Sequence, residues 1–277
     1  ATLKKDVRLE RANQVLHHVA YPRAIDQGYH DTCNVATVQV VLAARYPEKL
    51  ADAVRQIAVS GEYKTTTGQV VHVNGSSLKP DWQAKLYRPY DPARNSYGRS
   101  YASELFQVMA VNSYYASQGL NRRYEQRAPE GIEDTGERMI DTTANIVVGR
   151  VPGLTCDHIR EISRLISGKP FAILESNRQT DATVSKFASS QDLHNQLLDL
   201  QKNDKLPAII MVNTKQEPYF SEGGRGRSGH PGGWHVVTVW NVDASGHLLV
   251  DNQWGRRNDN EGFRRMNVSQ LYQAAQP

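Results

Sequence analysis

An α+β fold is predicted for this 277-residue chain by two changes of pattern along it. In the N-terminal part, apolar residues recur three and four apart, the spacing of helices that bury one face. From residue 155 onward, helical runs alternate with short apolar strands, and residues 235–252 close the pattern with a hairpin through Asp243-Ala244-Ser245-Gly246. A helical lobe over about 1–166, with an insertion near 79–145, is therefore expected to pack on an antiparallel sheet lobe over about 167–277 in one domain.

The elements follow in order. Residues 8–18 read as a helix with Leu9, Ala12, Val15 and Leu16 on one face. Asp31-Thr32 are good N-cap residues for the run Cys33-Asn34-Val35, in which Val35, Val38, Val41 and Leu42 hold helical spacing until Pro47. Pro47 in a first helical position opens the next helix, with Leu50, Ala53, Val54 and Ile57 apolar and Gly61 ending it. Val70 to Val73, followed by Asn74-Gly75, resembles a strand entering a hairpin turn. Residues 79–99, rich in Pro, Tyr, Arg and Asp, read as a long loop, and 100–117 as a helix with Leu105, Val108, Met109 and Tyr115 inward. The polar stretch 121–145 is expected to be irregular or inserted. Beyond it, Thr155 caps a helix holding Ile159, Ile162, Leu165 and Ile166. A strand at 171–174, a helix at 190–201, a strand at 207–213 and a final helix at 269–275 complete the chain.

Composition excludes several classes. Hydrophobic residues at 39% and charged residues at 22% are those of an ordinary globular protein, and a net charge of +4 is too small to argue for nucleic acid. The longest apolar run, Ala208-Ile209-Ile210-Met211-Val212, is a core strand, far short of the ~18 residues of a membrane span. The chain opens at Ala1 with no leader-like apolar stretch, which is expected of a processed or trimmed form. Nine histidines show no metal-ligand spacing, so neither metal nor cofactor is expected.

The chemistry gathers at the two ends. Gln27 stands six residues before Cys33, which opens a helix; His235 opens a strand; Asn252-Gln253-Trp254-Gly255 closes the next one. A thiol becomes a competent nucleophile at a helix N-terminus beside an imidazole, where a pKa below the ~8.5 of free cysteine is expected. His235 would take the thiol proton, Asn252 would orient the imidazole, and Gln27 with the Cys33 amide would hold an oxyanion.

Gln-x5-Cys, a later His and Asn-x-Trp-Gly, in this order, resemble the catalytic apparatus of papain-like cysteine peptidases. The resemblance covers the two ends of the chain and is silent in the middle. It departs from the digestive members, which carry Cys-Gly-Ser-Cys-Trp where this chain reads His30-Asp31-Thr32-Cys33-Asn34. His235 also lies about 200 residues beyond Cys33, against the ~130–150 of the papain type. The resemblance implies a peptide or protein substrate, a thioester at Cys33, substrate contacts from Trp234 and Trp254, and no nucleic-acid or membrane partner. An exported bacterial effector or toxin would fit the divergence, by analogy alone.

Alternatives stand beside each part of this reading. Asp251, 16 residues after His235, is the rival third member; a Cys-His-Asp site would resemble glutamine deamidases and transglutaminases. Strand alternation favours Asn252, because it separates the two neighbours onto opposite faces. Cys156, also at a helix start with His158 near, is the rival nucleophile, read as a buried structural cysteine. The Gly- and Arg-rich tract 222–233 reads as a loop over the site, and Arg256, Arg257, Arg264 and Arg265 as a solvated face or a weak preference for acidic substrates. A catalytically silent papain-like binding module is the third class.

Overall fold

Helix α2, Cys33–Arg45, is buried continuously from Asn34 to Ala43. A helix apolar on every side has to be surrounded, and this one is. Around it pack α1 (Lys5–Ala20), α3 (Pro47–Ser60), α5 (Tyr101–Ser117) and α6 (Cys156–Ser167), with a short α4 at Trp82–Leu86. The computed structural model describes residues 4–87, 99–127, 134–176, 184–221, 233–254 and 264–277.

Against this helical part lies a six-stranded sheet in the order β11-β10-β9-β8-β6-β7. Its strands are β6 (Ile173–Ser176), β7 (Ser185–Phe187), β8 (Ala208–Asn213), β9 (Trp234–Val242), β10 (His247–Asp251) and β11 (Arg264–Asn267). Alternation along β8 divides the core in two: Ile209 and Met211 join the cluster around α2, and Ala208, Ile210 and Val212 join the opposite cluster. That second cluster is covered by α7 (Ser190–Lys202) and α8 (Val268–Ala274), so the sheet is buried on both faces. The architecture is α+β.

Five expectations need correction. The sheet is mixed: β6 pairs in parallel with both β7 and β8, while β8, β9, β10 and β11 pair antiparallel. Helix α1 is turned relative to its apolar stripe, with Leu9 and Leu16 64% and 66% exposed and Arg11, Gln14, Val15 and His18 buried instead. Polar partners on α2 and α5 decide that rotation: the Arg11 guanidinium lies over the Tyr101 ring, Gln14 accepts from the Ala102 N–H, and His18 meets Gln39. The strand β2 (Val70–His72) pairs backward with β1 (Glu62–Lys64), not forward across Asn74-Gly75. The stretch 121–145 contains two strands, β3 (Arg122–Gln126) and β4 (Glu137–Asp141), which form a small antiparallel sheet with β5 (Ile146–Gly149). In the region read as a loop, α4 interrupts it, and residues 88–98 lie outside the described set.

One buried polar network decides where Cys33 is delivered. Asp81 accepts from Ala84 N at 2.7 Å, from Arg99 Nη2 at 2.9 Å and meets His30 Nε2 at 2.9 Å. Arg99, wholly buried, also donates to Gln107 Oε1, which accepts the Thr32 hydroxyl, while Gln107 Nε2 donates to the Asp26 carbonyl. Burial opposes charge on Asp81, but the His30 bond and the Arg99 guanidinium hold its carboxyl well below the usual range. Residues 26–32 are therefore anchored by ion-pair and hydrogen-bond partners from α4 and α5. Gly28 has φ +69°, and a Cβ there would collide with the Gln83 oxygen that accepts the Tyr29 N–H.

Candidate active site

The first turn of α2 meets the start of β9. Thr32 is the N-cap, but its hydroxyl is given to Gln107 and makes no cap. The backbone N–H groups of Cys33 and Asn34, with that of Val236 on β9, instead favour negative charge on the Cys33 sulfur. Cys33 and His235 line one cavity of about 340 Å³, with Asp31, Asn34, Trp234 and Met211 among its walls. The loop before α6 supplies the rest through Val151, Gly153 and Leu154, and Asn34 Nδ2 donates to the Leu154 carbonyl.

His235 is 4% exposed, and its Nε2 lies 2.8 Å from Asn252 Oδ1. An amide oxygen only accepts, so this bond puts the ring proton on Nε2 and leaves Nδ1 as the basic nitrogen. Trp254 stacks on the imidazole, 4.5 Å between centroids, and Tyr219 meets Trp254 edge-on. The sheet register accounts for both contacts. Asp251 pairs with Thr238, and continuing that antiparallel register brings position 254 opposite 235. Alternation then puts Asn252 on the face of His235 and Asp251 on the other. Asp251 is 3% exposed there and accepts from Gln253 Nε2 at 3.0 Å, with Thr238 Oγ1 at 3.4 Å.

The two ends are stitched by a main-chain bond, Gln27 N–H to the Gln253 carbonyl at 3.0 Å. The Gln27 carboxamide is buried and donates to the His30 carbonyl at 2.9 Å. Gln27 is not among the cavity's lining residues, so to reach a substrate oxygen its amide would have to leave His30. Trp234, 45% exposed, lines the cavity, whereas Trp254 is occupied with the imidazole. Cys156 is sealed in the core, and the His158 ring beside it accepts the Thr155 N–H in a capping box. The tract 222–232, with Arg256 and Arg257, lies outside the described residues.

Burial works against the thiolate expected from the sequence. Cys33 keeps part of its surface open to the cavity, yet protein atoms crowd its other sides and push the thiol up to about 12. The three amides pull down and the Asp31 carboxylate pushes up, neither enough to offset the burial. Burial likewise lowers His235 to about 4, against the Asn252 bond. Burial thus favours the uncharged form of each group, the thiol and the imidazole alike.

Iodoacetamide labelling of Cys33 in a Cys156→Ser background should accordingly be slow at pH 6. It should rise by roughly tenfold per pH unit through pH 7–9, as the thiolate fraction does below its pKa. Fast labelling on a plateau between pH 5 and 7 would show a resting ion pair instead.

Comparison with family models, with curated proteins and with solved structures returns no match for this chain. Reading the sequence missed three features of the site. Asp31 was expected only to cap, its place beside Cys33 being the available signal. Met211 and the residues 151–154 are brought in by folding alone.

Proposed function

We propose that this protein is a cysteine peptidase that cleaves peptide bonds in peptide or protein substrates through a Cys33-His235-Asn252 triad. The observation that carries the reading is the 2.8 Å His235 Nε2–Asn252 Oδ1 bond under the Trp254 ring, on the imidazole that shares a cavity with Cys33.

The chemistry runs from that starting state. His235 Nδ1 takes the thiol proton as the sulfur attacks the scissile carbonyl carbon, and the carbonyl π pair moves onto oxygen. Amides at the start of α2 are the nearest donors for that oxyanion, with Gln27 as a further one once it releases His30. Collapse breaks the C–N bond, and the Nδ1 proton leaves with the amine. Water then gives a proton to Nδ1 and its oxygen to the thioester, and the C–S bond breaks as the thiol is reprotonated. A Cys-His-Asp site of the deamidase or transglutaminase kind finds less support, because the Asp251 carboxylate is turned toward Gln253 and Thr238.

Incubation with an epoxysuccinyl peptide mimic should add one inhibitor mass, located on the peptide holding Cys33 and lost in His235→Ala. No adduct on the folded wild-type protein would sink the proposal.

A further inference from the structure

Among the described residues lining the cavity beside Cys33, Asp31 is the one carboxylate, and burial favours the uncharged form of His235. Asp31 is an exposed residue, though neighbouring protein atoms partly desolvate its carboxyl and raise its pKa above the ordinary value, and no cation among the described residues pairs with it. The nearby guanidinium groups are committed elsewhere, Arg138 and Arg150 both to Asp134. Its backbone is fixed from behind, since the Asp31 N–H donates to both Glu137 oxygens at 3.2 and 3.1 Å. Glu137 is itself buried and accepts from Tyr124 and Thr135. An unpaired carboxylate is thus held at the mouth of the cavity on an anchored main chain.

The other walls complement it. The exposed Trp234 indole offers a π face that attracts a cation, and Val151, Leu154 and Met211 offer apolar surface for an aliphatic stem. Lysine and arginine are the side chains with both parts. The chain's net charge of +4 gives no long-range attraction for cations, so such selectivity has to be local. We infer that the subsite next to Cys33 receives a lysine or arginine side chain of the substrate, with Asp31 as its counter-charge. This names the substrate class of the proposed peptidase and rests on that reading. It is opposite in sign to the acidic preference expected from the arginines near the C-terminus, of which Arg264 and Arg265 sit on β11 at the sheet edge.

Two measurements separate the inference from the reading beneath it. The first uses three methanethiosulfonates, carrying a trimethylammonium-ethyl, a methyl or a sulfonatoethyl group, on the Cys156→Ser protein. Each transfers its alkylthio group to the Cys33 thiolate as a mixed disulfide and releases methanesulfinate, and the cationic and anionic reagents, similar in size, differ chiefly in charge. The cationic-to-anionic rate ratio, normalised to a free thiol, should exceed ten and collapse toward one in Asp31→Asn, as a carboxylate within a few ångströms dictates. The second is a fluorogenic peptide panel with Lys, Arg, Gln, Leu or Glu beside the scissile bond. There the Lys-to-Gln ratio of kcat/KM should be at least tenfold and should collapse in Asp31→Asn. Charge-selective labelling without turnover of any peptide would keep the cationic subsite and overturn the peptidase. Turnover without basic preference, or a labelling ratio near one, would overturn the subsite.

Discussion

Cys33→Ala is expected to lower turnover of a peptide substrate by roughly ten-thousandfold or more, the scale on which loss of a nucleophile acts. The fold should survive, because the sulfur lies at a cavity wall where water can replace it. His235→Ala should fall almost as far, since nucleophile and base act as one unit and their losses do not add. Cys156→Ser is the contrasting case: the side chain is wholly buried in the main core, so its hydroxyl should cost about 1–3 kcal/mol of stability while activity persists. Steady-state rates paired with thermal melts distinguish the two. Activity lost in a folded Cys156→Ser and kept in Cys33→Ala would move the site to α6.

The second large effect separates two neighbours. Asn252→Ala should reduce kcat by about ten- to a hundredfold, the usual loss when a group orienting a reactive imidazole is removed. Its melting temperature should change little, since the Asn252 Nδ2 has no partner among the described residues and only the His235 bond is lost. Asp251→Ala should do the reverse. It strips the buried Gln253 amide of its carboxylate acceptor, a destabilisation of about 1–3 kcal/mol, and leaves the imidazole as it was. Measuring kcat and urea midpoints for both variants on one substrate reads the split. A folded Asp251→Ala with the larger loss of kcat would argue for a Cys-His-Asp enzyme.

Much of the secondary structure is legible in the sequence because local rules dominate there. Pro47 opens α3 and Gly61, at φ +76°, ends it, as their backbone preferences require. Thr155 caps α6, and the turn Asp243-Ala244-Ser245-Gly246 joins β9 to β10 as the pattern predicts. Where the reading fails, contacts distant in sequence override local pattern. Buried polar groups of α2 and α5 turn α1 away from its apolar stripe. The pairing of 122–126 with 137–141 and 146–149 makes a sheet of residues whose polarity suggests a loop.

The candidate site divides along the same line. The sequence by itself determined the residue types and their order, because Gln27, Cys33, His235 and Asn252 sit at element ends that local propensity marks, and a two-residue strand period separates Asn252 from Asp251. Only the tertiary structure decided that burial pushes the thiol pKa up, that Trp254 covers the imidazole and that Asp31 lines the cavity. Those properties depend on desolvation and on which distant atoms surround a group, and neither is a function of the residues beside it in the chain.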